Sequence, residues 1–370
     1  MSNSYNDPTK VLPENKKLTT VLICVVVRIE SERQKLLFER TIESILGLDV
    51  PADVQASVLV IDNASLFAVQ DFVATKTSAS IEVVRRTANN IGAARTQGMR
   101  AAVQKNCEWI AYVDSDIELP IEWLKILTHE LQSPAMKDAV GIAAVNRPPH
   151  EGEFARALDF FLGFEHTHLG SPQVIQLQST AHEAVTKRKV GHLATCAVLI
   201  HTKALEHAGG FKSDFSRVCE DLEMSYRLRR NGSLWMLSGP VVLHRQDRGW
   251  QAWASRMFRY GWGQIEVARY HHEHLKTRKA LPLLAAAWMV AIFVLMAFGF
   301  SAPMKLTLVG YLGFMLAPIL LRGIADGKMD VAFSACWIAV VTHVAYAAGM
   351  VSGLLRISRN PVSIQPGDGG

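Results

Sequence analysis

The sequence predicts an α/β domain with a mostly parallel sheet, followed by a C-terminal region of transmembrane α-helices. Three observations on the 370 residues lead there. Apolar runs of strand length alternate with helical patterns through the first two thirds, the order that builds a parallel sheet covered on both faces. Acidic residues stand at or just beyond the ends of several of those runs. Beyond residue 280 the chain turns strongly apolar, in stretches long enough to cross a bilayer.

Segment 1–18 is a polar tail, and "MSNSYNDPTKVLPENKK" lacks a signal-peptide pattern. The α/β domain is expected over 19–245. "LTTVLICVVV" is the continuous apolar run of a central strand with both faces buried. "ERQKLLFERTIESILGL" carries Leu36, Leu37, Ile42 and Ile45 at helical spacing. "ASVLVIDNAS" reads as a second strand ending in a polar turn and "IEVVRR" as a third. "NIGAARTQGMRAAVQK" reads as an alanine-rich helix and "EWIAYV" as a fourth strand. Segment 246–280 contains "WASRMFRYGWGQ", with Trp253, Met257, Tyr260 and Trp262 beside Arg256 and Arg259. That pattern suits an amphipathic helix at a membrane surface.

Residues 281–357 are expected to form two to three membrane helices. The stretch 281–300 has no charge, and 331–355 has none beyond that of His343, an expected bundle-interior histidine; both are long enough to span. Stretch 306–321 is marginal. Arg269, Lys276, Arg278 and Lys279 precede the first span and only Lys305 follows it, which puts the domain on the cytoplasmic side of an inner (plasma) membrane, in a multi-pass protein. Segment 358–370 is a tail. The net charge of +5 comes without a basic stripe interleaved with aromatics, so no nucleic-acid partner is expected. Cys24, Cys107, Cys196, Cys219 and Cys336 have neither metal-type nor disulfide-framework spacing, which fits buried thiols in a reducing compartment.

The chemistry concentrates at strand ends. Asp114 and Asp116 flank Ser115 at the end of the fourth strand. Two close carboxylates repel, so they belong either to a solvated, capped loop or to a divalent cation with hard oxygen ligands. Asp62 ends the second strand and Glu30 lies just beyond the first. Ligands of parallel sheets bind at this edge, and three converging acidic groups favour a binding site over caps.

Residues 19–245 resemble the family 2 inverting glycosyltransferases of GT-A fold. "VVVRIE" (25–30) is similar to the opening "IPVRNE", with Val26 for the proline, Ile29 for the asparagine, and Glu30 matching. "VIDNAS" (60–65) resembles "VDNgS", whose aspartate contacts the base of the nucleotide; Asp62 is its counterpart. "NNIGAARTQG" (89–98) is similar to the donor-site segment, which brings in Asn90 and Arg95. "DSD" resembles the DxD motif, implying Asp114 and Asp116 as holders of metal and nucleotide-sugar. "GGFKSDFSRVCEDLEMSYRLRRNG" (209–232) resembles the segment with the "ED" pair, implying Asp221, with Glu220 beside it, as the catalytic base. His244 resembles the histidine that completes the metal shell in many relatives.

The physics of these pieces stands beside the likeness. A sugar nucleotide carries about two negative charges on its diphosphate, which Mg²⁺ or Mn²⁺ on Asp116 would neutralise. Arg95 either adds positive charge or lies on a solvated helix face. Gly92 and Gly98 either let a ligand approach or serve packing. Inversion needs one carboxylate to take the acceptor's proton; acids opening a helix also serve as plain N-terminal charges. "RQDRGW" (245–250) lacks the arginine before tryptophan of the QxxRW signature, so processive synthesis is not expected. Segments 253–264 and 346–356 resemble the membrane-attached subgroup used in succinoglycan-type exopolysaccharide assembly.

The expectation is thus a membrane-attached, metal-dependent, inverting hexosyltransferase. It would move a sugar from a nucleotide-sugar, a UDP-sugar first, to a lipid-linked (polyprenyl) saccharide acceptor in cell-surface polysaccharide biosynthesis. Alternatives are transfer to polyprenyl phosphate itself, where no general base is needed, and an inactive membrane scaffold of an assembly complex. A soluble nucleotidyltransferase would leave the apolar C-terminal stretches without a purpose.

Overall fold

The computed structural model describes residues 18–76, 81–164, 185–215, 218–245, 249–276 and 278–357. Its first half alternates β1 (Thr19–Val27), α1 (Glu32–Leu46), β2 (Val54–Asn63), α2 (Val69–Lys76), β3 (Ile81–Arg86), α3 (Ile91–Gln104) and β4 (Trp109–Asp114). β1 pairs in parallel with β2 and with β4, and β3 extends β2. Val27 of β1 sits opposite Asp62, and Val26 opposite Asp114, so the three strands end level with one another. The continuous apolar run of β1 has its cause here. Ile23 and Val25 enter a core with Phe38 and Ile42 of α1, while Leu22 and Cys24 enter another with Ala94 and Met99 of α3.

The second half adds β5 (Ile117–Glu118), α4 (Trp123–Leu131), β6 (Ala139–Arg147), α5 (Glu153–Leu162), β7 (Lys187–Lys189), β8 (Ala197–His201), α6 (Thr202–His207), α7 (Glu220–Leu228) and β9 (Ser233–His244). The nine-stranded sheet runs β3-β2-β1-β4-β8-β6-β9-β5, with β7 on β9. Here it becomes mixed: β8 is antiparallel to both β4 and β6, while β9 is parallel to β6. Because β8 runs against β4, it starts where β4 stops, and the Asp114 N–H donates to the Cys196 carbonyl at 2.8 Å. The end of β9 is fastened to the same edge. Ile117 pairs with His244, and the Arg245 N–H donates to the Asp116 carbonyl at 3.0 Å.

The C-terminal part comprises α8 (Gly249–Tyr270), 3-10 turns at His272–Lys276 and Arg278–Ala280, α9 (Leu281–Ala297), α10 (Ala302–Tyr311), α11 (Ala317–Ala325) and α12 (Met329–Ile357). α10 and α11 join through a π-helical turn, Leu312–Leu316, into one run of 24 residues. This reverses part of the sequence reading. The apolar stretch after residue 280 yields a helix of only 17 residues, α9, stopped at Gly299 in the left-handed region (φ 88°). The stretch taken as marginal is full length, because the helix extends through Lys305 and Arg322, long side chains that can reach polar surroundings from near a helix end. Among the described residues two helices, Ala302–Ala325 and Met329–Leu355, are therefore long and apolar enough to cross a membrane.

α8 lies along α12 at close range. A Cβ on Gly261 would meet the Tyr346 carbonyl oxygen at 2.0 Å, and one on Gly349 the Phe258 carbonyl oxygen at 2.0 Å. The Trp253 indole N–H donates to Thr342 Oγ1 at 2.8 Å. The apolar side expected at a membrane surface is thus covered by another helix. α5 joins the same cluster through Leu158 and Phe161, resting on α8 and α12 rather than on the sheet. Residues 165–184 and 246–248 lie outside the described residues.

Candidate active site

A cavity of about 430 Å³ opens at the edge where β1, β2 and β4 end. β1 brings Arg28, β4 and its turn bring Asp114, Ser115 and Asp116, and the approach to β8 brings Thr195 and Cys196. The start of α7 brings Glu220 and Asp221, and the end of β9 brings His244. α1 adds Gln34 and Leu37, α3 adds Ile91 and Arg95, and α8 adds Arg256, Arg259 and Tyr260.

Asp114, Asp116 and His244 each offer a ligand atom, all within 4.8 Å of one another. His244 Nε2 is 3.3 Å from Asp116 Oδ1. Two carboxylate oxygens with one imidazole nitrogen form a hard-to-borderline donor set, which suits Mn²⁺ and Mg²⁺ and is unlike the thiolate sets of softer metals. The sequence placed His244 far from Asp116; the β5–β9 pairing brings them together.

Arg95 is only 4% exposed. Its Nη2 donates to Asp114 Oδ1 at 2.8 Å and its Nη1 to Glu220. Burial works to lower its pKa, but the charges of Asp114, Glu220 and Asp221 raise it, so the guanidinium stays charged. It is therefore no solvated helix residue, and its charge is already engaged by the carboxylates around it. Removing one side of such a buried pair costs about 3–5 kcal/mol.

Asp221 behaves differently. Burial, then the neighbouring charge of Glu220, push its carboxyl from the usual 3.8 up to about 7, with Arg95 pulling the other way. Its Oδ1 accepts the N–H of Leu222 at 2.7 Å. Cys219 ahead of the helix adopts the left-handed region (φ 69°), a conformation uncommon outside glycine. That turn delivers two consecutive acids to one cavity at a helix start, where the dipole favours them. A carboxylate titrating near neutrality can take a proton from a hydroxyl.

Three expected donor-site residues lie beside the cavity rather than in its lining. Asp62, 1% exposed, holds its own turn: Oδ1 accepts the Ser65 N–H at 2.8 Å, and Arg85 lies 3.5 Å from Oδ2. The neighbouring Asn63 lines the cavity. Glu30 is exposed and pairs with Arg28 at 2.7 Å. Asn90 caps α3, accepting the Ala93 N–H at 2.9 Å and donating to the Ser213 carbonyl at 3.0 Å. Gly92 and Gly98 serve packing: a Cβ would meet the Lys212 carbonyl oxygen at 2.4 Å and Cys24 Sγ at 2.5 Å, respectively.

Sequence reasoning missed the α8 wall, although Arg256, Arg259 and Tyr260 stand at i, i+3 and i+4 and share a helix face. Thr195 and Cys196 gave no local signal; only the reversed direction of β8 brings them in.

The model for glycosyl transferase family 2 matches residues 23–208, half of the chain. Among solved structures, the fold is similar to the mannosyltransferase PcManGT from Pyrobaculum calidifontis in complex with GDP-Man and Mn²⁺. The TM-score is 0.53 at 17% identity, covering 88% of this chain and 86% of that one. S. aureus TarS 1–349 in complex with UDP-GlcNAc is looser, with a TM-score of 0.49 at 15% identity, covering 91% of this chain and 92% of that one. No curated protein sequence matches the chain.

Proposed function

The chain belongs to glycosyl transferase family 2, and we propose that it transfers a sugar, with inversion, from a nucleotide-sugar to a lipid-linked saccharide. The donor is taken to be a UDP-sugar. The site would work at the cytoplasmic face of a membrane, in the assembly of a cell-surface polysaccharide. The observation that carries the reading is Asp221, titrating near 7, in one cavity with Asp114, Asp116 and His244.

The chain's own residues divide the work. Asp114, Asp116 and His244 would hold Mg²⁺ or Mn²⁺, which supplies positive charge against the diphosphate leaving group. Asp221 accepts the proton of the acceptor hydroxyl as it attacks the anomeric carbon; attack from the side opposite the diphosphate inverts that centre. Glu220 raises the basicity of Asp221 by its charge. Arg95 ties Glu220 to Asp114, so the base and the metal-binding turn keep their spacing. The membrane reading rests on the two full-length apolar helices and on their outward apolar side chains, Leu306, Phe314, Leu321 and Val344 among them.

The test is nucleoside diphosphate release by detergent-purified protein. It is given UDP-, GDP- and dTDP-sugars, Mn²⁺ or Mg²⁺, and a bacterial lipid extract. The expected result is release from one donor, abolished by EDTA and by Asp116→Asn, and reduced about 10²–10⁴-fold by Asp221→Asn. Release that survives Asp221→Asn means that the nucleophile is already an anion, as in transfer to polyprenyl phosphate. No metal-dependent binding of any nucleotide would leave the scaffold reading.

A further inference from the structure

α7 carries Glu220 and Asp221 into the cavity, yet Cys219 at its N-cap gives it no side-chain hydrogen bond. Cys219 is instead held in the left-handed region at φ 69°. A residue other than glycine stays there only where its surroundings hold it. Those surroundings come from α8. A Cβ on Gly263 would meet Cys219 Sγ at 2.6 Å, so the helix backbone lies directly against the turn. One residue on, Gln264 donates from Nε2 to Cys219 Sγ at 3.9 Å.

Gln264 passes the contact on. Its Oε1 lies 2.7 Å from Nε2 of His274, and His274 Nδ1 lies 2.7 Å from the Tyr226 hydroxyl. An amide oxygen can only accept, so Nε2 carries the ring hydrogen and Nδ1 accepts from the hydroxyl. His274 is wholly buried, which pushes its pKa from 6.5 down to about 3 and keeps the ring neutral, as this pattern requires. Donor and acceptor thus alternate without a break from Tyr226 to Cys219. These two residues lie on either side of the catalytic pair, roughly two turns of helix apart. One imidazole is therefore tied to the chain both before and after Asp221.

A second layer backs the first. The Tyr226 ring stacks on His271, with 4.5 Å between centroids and 13° between planes. His271 Nε2 lies 3.2 Å from Oε1 of Glu223, a fully buried carboxylate that also accepts from Arg227 Nε at 2.8 Å. His274 sits in the 3-10 turn that leads from α8 to the apolar helices. Apolar packing alone could hold α7 near α8, and Phe215, Leu222 and Val267 cluster beside the network. What directional bonds add is one fixed arrangement.

We propose that His274 is a positioning residue for Asp221, acting through Gln264 on the Cys219 turn and through Tyr226 on α7. The catalytic consequence rests on the transferase reading, whereas the clamp itself rests on the geometry alone. A general base must stay within hydrogen-bond reach of the acceptor hydroxyl, and a misplacement of about 1 Å can cost about 10²-fold in rate.

The experiment compares wild type, His274→Leu, Tyr226→Phe and Gln264→Leu as full chains in detergent. Three quantities are read: kcat with the donor KM, nucleoside diphosphate affinity in Mn²⁺ by calorimetry, and alkylation of Cys219 by N-ethylmaleimide, followed by mass spectrometry. His274→Leu should lower kcat roughly 10–10²-fold while donor KM and nucleotide affinity hold. Cys219 should be alkylated roughly tenfold faster, with Cys24, in the core beneath α3, still protected. Tyr226→Phe and Gln264→Leu should each show part of the kcat loss, and neither should add to it when combined with His274→Leu. His274→Gln, which can both accept and donate, should recover part of the rate. Wild-type kcat and wild-type Cys219 protection in His274→Leu would overturn the proposal. A fall of nucleotide affinity and Tm in step with kcat would also overturn it, and make His274 a residue of general stability. Should His274→Leu fail to fold, Tyr226→Phe, which removes a single oxygen, carries the same readout. If wild type itself shows no turnover, the transferase reading breaks, and the alkylation rate still decides: faster in His274→Leu leaves the clamp standing, unchanged overturns it.

Discussion

β1 and α9 are equally apolar and end in opposite surroundings. Val21 to Val27 are 0–8% exposed, whereas Trp288 and Phe293 of α9 are 50% and 60% exposed. Within β1 every apolar side chain has a partner on one sheet face or the other, and the backbone is paired on both sides. Along α9 the helix satisfies its own backbone, so nothing forces its side chains against protein. An apolar run thus records only that water is excluded. Whether protein or lipid excludes it depends on what packs alongside.

The largest effect expected lies in the region ordered around ionised groups. Asp221→Asn should lower turnover about 10²–10⁴-fold, about 3–5 kcal/mol of barrier, while an equally conservative change in α9 leaves turnover intact. The same variant has a signature in pH. The folded carboxyl titrates at about 7, above its unfolded value of 3.8, so the fold disfavours its charged form. Its cost to stability is full above pH 7 and fades as pH falls towards 4. Asp221→Asn should therefore raise Tm at pH 8, in EDTA, by a few degrees, and less at pH 5. Wild-type kcat/KM should fall on the acid side with the protonation of one group, as the base is lost, and a divalent cation beside Asp221 shifts that fall to lower pH.

Next comes Ile23→Ala in β1, expected to cost about 2–5 kcal/mol because a cavity opens in a closed core. Phe293→Ala in α9 should cost well under about 1 kcal/mol in detergent, where the micelle fills the space. Equal losses in denaturant or thermal unfolding would break the comparison and mean that α9 is buried against another surface. Between the two regions, Gly261→Leu should cost about 1–3 kcal/mol and lower turnover, since it pries α8, one wall of the cavity, away from α12. Unchanged turnover would mean that the α8 wall holds its place without that contact.

Much of the first half could be read from the sequence, because its information is local. Apart from α2, the strands and helices from Thr19 to Asp114 follow directly from runs and spacings, and the DSD pair stands where a parallel strand must end. The second half resisted for a physical reason. β8 runs antiparallel between β4 and β6, and direction within a sheet leaves no trace in a five-residue apolar run. The length of α9 and the continuity of α10 with α11 were likewise misjudged from hydrophobicity, since Gly299 ends the one while Lys305 and Arg322 sit within the ends of the other.

The sequence by itself determined the α/β alternation, the acidic strand ends, the ED pair opening a helix and the apolar C-terminal region. All of these are written in residue type and short-range spacing. Only the tertiary structure decided which groups share a cavity. His244 reaches Asp116 through the pairing of Ile117 with His244. Arg95 meets Glu220 across 125 residues of chain. Arg256 and Arg259 share a cavity with Glu220 and Asp221, on a helix that glycine lets settle on α12. Charge interactions act over a few ångströms of space whatever the distance along the chain, so a site built from them exists only once the fold has closed.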